Sequence, residues 1–139
     1  NDKDELSIAI VGSRKATYYG KWASRKLAGE LAKMGITVIS GMARGIDTEA
    51  HKGSLKENGR TIAVLGSGID VIYPKSNISL YDEISKNGCI ISEFPIGTQP
   101  FPYNFPNRNR IISGLSLGLL VVEAAERSGS LITAEHALE

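Results

Sequence analysis

Five short runs of branched apolar residues punctuate the chain: "SIAIV" (residues 7–11), "TVIS" (37–40), "TIAVLG" (61–66), "CIIS" (89–92) and "LLVVEA" (119–124). None alternates apolar with polar residues. A strand with one wet face alternates, so uninterrupted Ile and Val runs point to strands covered on both faces, as in a parallel sheet. Helix-length segments separate the runs. In the first, Tyr19, Ala23, Leu27, Leu31 and Met34 share one face, which is expected to pack on the sheet, and Gly35 follows as a C-terminal stop. Asp47 is expected to cap a second helix running to about Asn58, and Asn77 a third through Asn87, with Gly59 and Gly88 ending them. Strand and helix units repeated in this way give an open, doubly wound α/β fold. Its sheet is mainly parallel, helices cover both faces, and a ligand crevice lies at the C-terminal ends of the strands.

With 139 residues, 42% of them hydrophobic and 22% charged, the expectation is a single domain spanning residues 1–139. The ending "SGSLITAEHALE" stops inside a helical pattern, so the domain is expected to be a fragment of a longer protein. No apolar run approaches the roughly 20 residues that span a bilayer, and "NDKDELS" is unlike a secretory signal, which makes the cytoplasm the expected compartment. Cys89 is the only cysteine and reads as core. His51 and His136 alone offer no metal-ligand spacing, and no cofactor is expected.

The stretch "EFPIGTQPFPYNFPN" (93–107) carries four of the five prolines and all three phenylalanines, and reads as a non-helical loop. A connection this long is usually functional or draped over the core. Phe101, Tyr103 and Phe105 either cover an apolar sheet edge or stack on bases.

Each strand exit carries a cation: Arg14 and Lys15, Arg44, Lys75, Arg108 and Arg110, and Arg127. A parallel sheet brings all these exits to one edge, where helix N-termini are expected to present free N–H groups, so the natural occupant is an anion. Taken singly, Arg14 could instead pair with Asp47 or Asp70, and Lys75 could be a solvated turn residue. The net charge of +1 adds no global signal for nucleic acid. "VGSRKATYYG" lacks the G-x-G-x-x-G of a dinucleotide turn, and "LGSGIDVIYPKSN" lacks a P-loop lysine, which disfavours NAD and NTP chemistry. Ser128, Ser130 and Thr133 either bind phosphate at a helix start or cap that helix. His51 reads as a packing or surface histidine, because no nucleophile signature accompanies it.

Six blocks together closely resemble the DNA-processing protein A family, DprA/Smf: "GSR" (12–14), "SGMARGID" (40–47), "GSGIDVIYPKSN" (66–77), "SEFPIG" (92–97), "FPNRNRIISGLS" (105–116) and "VVEAAERSGSLITA" (121–134). The resemblance spans nearly the whole chain. It implies a Rossmann-like core that binds single-stranded DNA during natural transformation, dimerises, and helps load the RecA recombinase, with no catalysis. It further implies that Arg14 and Lys75 are the main phosphate contacts and that Arg108, Asn109 and Arg110 line the same pocket. The full expected DNA-binding set is Gly12, Ser13, Arg14, Arg44, Lys75, Phe105, Asn107, Arg108, Asn109, Arg110, Ser128, Gly129, Ser130 and Thr133. The chief rival is a phosphoribohydrolase acting on nucleoside monophosphates, whose P-G-G-x-G-T-x-x-E signature compares with "RSGSLITAE" (127–135) without the double Gly but with Glu135 in place. A nucleotide-sensing module is the third reading.

Overall fold

A computed structural model describes residues 4–123. In chain order the elements are β1 (Ser7–Gly12), α1 (Tyr18–Lys33), β2 (Thr37–Ser40), α2 (Ile46–Lys56), β3 (Thr61–Val64), α3 (Ile78–Asn87), β4 (Cys89–Ile91), α4 (Asn104–Leu115) and β5 (Gly118–Val122), with a 3₁₀ turn at Lys75–Asn77 leading into α3. The strands form one parallel sheet in the order β4-β3-β2-β1-β5. The chain winds outward from β1 to β4 and then returns to place β5 on the other side of β1, pairing Ile8 with Val38 on one flank and with Gly118 on the other. The point where the winding reverses, between β1 and β2 on one side and β5 on the other, is where open sheets of this kind leave a crevice. This is the doubly wound α/β fold expected from the unalternating strands.

Successive strand residues feed opposite cores. Ala9, Val11, Ile39 and Val64 pack with Ile112 of α4 on one face. Their neighbours Ile10 and Val38 pack with Ala28 of α1 and with Ile46 and Ala50 of α2 on the other. Ala63 extends that second face to Leu80 and Ile84 of α3. Both sides of every central strand are therefore dry, which is why the sequence shows no alternation.

Three local expectations are corrected. The face of α1 that packs inward is Gly20, Ser24, Ala28, Gly29 and Ala32, whereas Tyr19, Leu27 and Met34 are exposed and only Leu31 and Ala23 of the expected stripe are partly covered. The reason is close approach: α1 lies against α2 so tightly that a Cβ on Gly53 would stand 2.2 Å from the Arg25 carbonyl oxygen. Only small side chains fit there. The cap of α2 is Gly45, with Asp47 one position inside the helix, and Asn77 precedes α3 without a capping bond, its amide donating instead to the Met42 carbonyl and Thr48 Oγ1. Finally, residues 104–107 of the Pro-rich stretch are the first turn of α4. Pro106 is tolerated there because an N–H in the first turn has no helical acceptor. Gly35, with φ of 77°, does end α1 as expected, and Cys89 is half-buried in β4.

Candidate functional site

The exits of β1, β2 and β3 and the start of α4 meet around the ring of Phe105. The ring lies against Gly66 at the end of β3, where a Cβ would come within 2.7 Å of it. The Arg14 guanidinium stands over the ring at 4.7 Å and that of Arg108 at 5.2 Å, while Tyr73 leans on it at 6.0 Å. Through Tyr73 the ring also borders the turn that presents Lys75, two residues on, across a cis Tyr73–Pro74 bond.

The loop bearing Arg14 is held from below. Ser13 Oγ accepts from the Lys15 N–H, and the Ser13 carbonyl accepts from the Ile46 N–H at the start of α2. Gly45, at φ 80°, lets the two loops touch, since a Cβ there would lie 2.5 Å from the Ser13 oxygen. Gly12 is likewise packed, under Val122 and Ile46. Gly12 and Ser13 thus shape the turn, and Arg14 and Lys15 project from it, exposed. The β2 loop is pinned at Met42, whose positive φ of 64° is fixed by its N–H donating to His51 Nε2 and its carbonyl accepting from Asn77. His51 Nδ1 shares a hydrogen with Thr61 Oγ1, so this imidazole is a buried packing group. Burial, with a smaller contribution from Arg108, pushes its pKa down to about 3. Arg44 extends from this braced loop into solvent.

Arg108 is placed differently from the other cations. It is buried, Nη1 donates to the carbonyls of Gly41 and Val64 at 2.6 and 2.8 Å, and Nε donates to Asn109. Burial lowers its pKa to about 10, the nearby Asp47 carboxylate opposes that, and Arg14 adds to it. Burial in turn raises the pKa of Asp47, against the pull of Arg108. Asn109 is buried too, Asn107 is exposed, and exposed Arg110 is paired with Glu93. Among the described residues no carboxylate pairs with Arg14, Lys15, Arg44 or Lys75; Asp70 accepts from the Gly97 N–H instead. Arg127, Ser128, Gly129, Ser130, Thr133, Glu135 and His136 lie outside the described residues.

At α1, α2 and α4, part of the expected free helix N-terminus is already bonded within the chain. At α1, Thr17 Oγ1 caps the Gly20 N–H, and the Glu123 carboxylate accepts from both the N–H and the hydroxyl of Thr17. At α2 the Ile46, Thr48 and Glu49 N–H groups donate to the Ser13, Ala43 and Gly45 carbonyls, and at α4 those of Asn104 and Phe105 donate to Phe101 and Pro102. Positive side chains on braced loops carry the site's charge. Sequence reading missed Tyr73 and the Thr17–Glu123 clasp; the "YPK" run before the 3₁₀ turn was the available sign of the first, and a contact 106 residues apart leaves no sign of the second.

The family model for DNA recombination-mediator protein A matches residues 1–139. The chain belongs to that family. Within it, the chain is 52% identical over 132 residues to Protein Smf of Synechocystis, an alignment covering 95% of this chain and 33% of that protein. Among solved structures it is similar to DNA processing protein A of Streptococcus pneumoniae, with a TM-score of 0.88 and 45% identity over 96% of this chain and 47% of that one. It is also similar to DNA processing protein A of Helicobacter pylori, described for its single-stranded DNA binding mode, with a TM-score of 0.89 and 36% identity over 96% of this chain and 61% of that one. The chain spans about a third of the Synechocystis relative and less than half of the pneumococcal structure.

Proposed function

We propose that this domain binds single-stranded DNA through its phosphates, without catalysis, at the C-terminal edge of the sheet, and that Arg14, Arg44 and Lys75 make the principal contacts. The observation that carries this reading is the set of exposed cations on neighbouring braced loops, with Arg14 over Phe105, Arg44 beside the Gly45 that touches the Arg14 backbone and Lys75 two residues beyond Tyr73, and with no acidic partner among the described residues. Such an arrangement suits a polyanion tracked by its backbone. Phe105, flanked by Arg14 and Arg108, serves as a shelf under Arg14. Arg108 and Asn109 brace that shelf from inside, and Asn107 and Arg110 lie at its rim; Gly12 and Ser13 shape the first loop. Ser128, Gly129, Ser130 and Thr133 extend the contact set on the strength of the sequence motif. The single-stranded DNA binding named for the Helicobacter pylori relative supports the choice of ligand.

In the longer protein, residues 1–139 form one domain of a cytoplasmic recombination mediator that dimerises and hands single strands to RecA during transformation. No helix among the described residues is long and apolar enough to cross a membrane. Labelled oligo-dT, a duplex of equal length and nucleoside monophosphates, titrated at two salt concentrations, test the reading. Oligo-dT is expected to bind tightest and to weaken with salt. Preferential binding of a monophosphate with release of its base would establish the phosphoribohydrolase alternative, and such binding without turnover the nucleotide-sensing one.

A further inference from the structure

One face at the start of α1 is unusually aromatic for a surface in water. Tyr18, Tyr19 and Trp22 are 90%, 72% and 52% exposed. The Tyr19 and Trp22 rings lie 5.8 Å apart, and Lys26 Nζ stands 5.6 Å over Trp22. On a 3.6-residue helix, Tyr18, Trp22 and Lys26 form a row with steps of about 6 Å along the axis. The row begins three residues after Lys15, on the loop that presents Arg14, so it continues directly from the cation cluster. At its other end it opens into a groove of about 360 Å³ between α1 and α2, where Arg25 is paired with Glu49 and Lys33 with Glu30, leaving Lys26 and Lys56 against Glu57. Exposed rings interleaved with cations match a ligand that is at once flat, apolar and negatively charged. A purely apolar protein partner would leave the Lys26 and Lys56 ammonium groups to be desolvated without a counter-charge.

We propose that a single strand held at the cation cluster continues along this face of α1, its next bases stacking on Tyr18 and Trp22 and its phosphates passing Lys15 and Lys26. The extension rests on the DNA-binding reading above, and its test separates the two. Trp22 is the only tryptophan in the 139 residues, so its fluorescence reports on this face alone. A dT hexamer is short enough to fill the cluster, whereas a dT 20-mer reaches α1. Only the 20-mer is expected to quench Trp22. Trp22→Ala is expected to weaken 20-mer binding about tenfold and leave the hexamer unchanged, with Trp22→Phe restoring most of the loss. Arg14→Ala should weaken both lengths. Unchanged 20-mer affinity in Trp22→Ala, or unquenched Trp22 in the 20-mer complex, overturns the α1 track while a retained Arg14 effect leaves the cluster standing. An Arg14→Ala variant that binds both lengths normally defeats the cluster reading instead. If Trp22→Ala changes sedimentation but not 20-mer affinity, the face meets a second copy of the chain, and the proposal is wrong.

Discussion

Arg108 donates to the carbonyls that end β2 and β3 and lies near buried Asp47, whereas Arg14, over the same Phe105 ring, is exposed. Removing one partner of a buried charge pair typically costs about 3–5 kcal/mol, because the other charge and its hydrogen-bonding groups stay buried. Arg108→Met is therefore expected to lower stability by that order in a denaturant melt, and Asp47→Asn in the same chain to recover part of it. Arg14→Ala should cost only about 0.5–1 kcal/mol, the worth of an exposed cation–π contact. An Arg108→Met variant that melts like the parent yet loses DNA would make Arg108 a ligand contact. His51 gives a second test at this scale. Its pKa is depressed from 6.5 to about 3 in the folded chain, so below pH 6.5 the unfolded chain takes up a proton that the folded chain refuses. The stability it contributes is complete above pH 6.5 and is lost progressively down to about pH 3, by at most about 1.4 kcal/mol per pH unit. Between pH 6.5 and 5, with the carboxylates common to both chains, His51→Gln should remove the His51 share of the slope of stability against pH; an unchanged slope would contradict the assignment.

Helix α1 shows where a sequence pattern is decided by its neighbour. Its large apolar side chains mark a stripe at helical spacing, but α2 packs so near that the buried stripe is made of Gly, Ser and Ala, which carry almost no hydrophobic signal. Gly53→Val is expected to destabilise the domain by about 1–3 kcal/mol or more, because its Cβ would meet the backbone of Arg25, not a side chain able to turn away. Tyr19→Ala, on the stripe that sequence alone would bury, should change stability by no more than about 0.5 kcal/mol. Thermal or denaturant melts of the two variants check this, and the reverse order would mean that α1 packs by its large residues after all. The strands were legible for the opposite reason. Ile and Val runs covered on two faces need no knowledge of the partner, and four of the five begin where the pattern places them. The first turn of α4 was hidden by Pro106, which reads as a helix breaker unless the helix start is already known.

Over the whole molecule, parallel topology gathers residues as distant as Arg14, Arg44 and Lys75 at one edge, and that convergence could be read from strand order alone. What could not be read was the division of labour among the cations. Burial of Arg108 and the pairing of Arg110 with Glu93 depend on how α4 is seated, and occupation of the α1 N-terminus by Glu123 depends on where β5 ends. The account therefore rests on a few exposed cations acting on phosphates. Salt dependence of oligo-dT binding measures this most directly, since each phosphate neutralised on a single strand contributes about −0.7 to the slope of log K against log salt. For a dT hexamer with three cations engaged the slope should be about −2.1, and Arg14→Ala or Lys75→Ala should each make it shallower by about 0.7 in a chain that stays folded. A parent slope near zero, or variants that keep the full slope while binding normally, would contradict it.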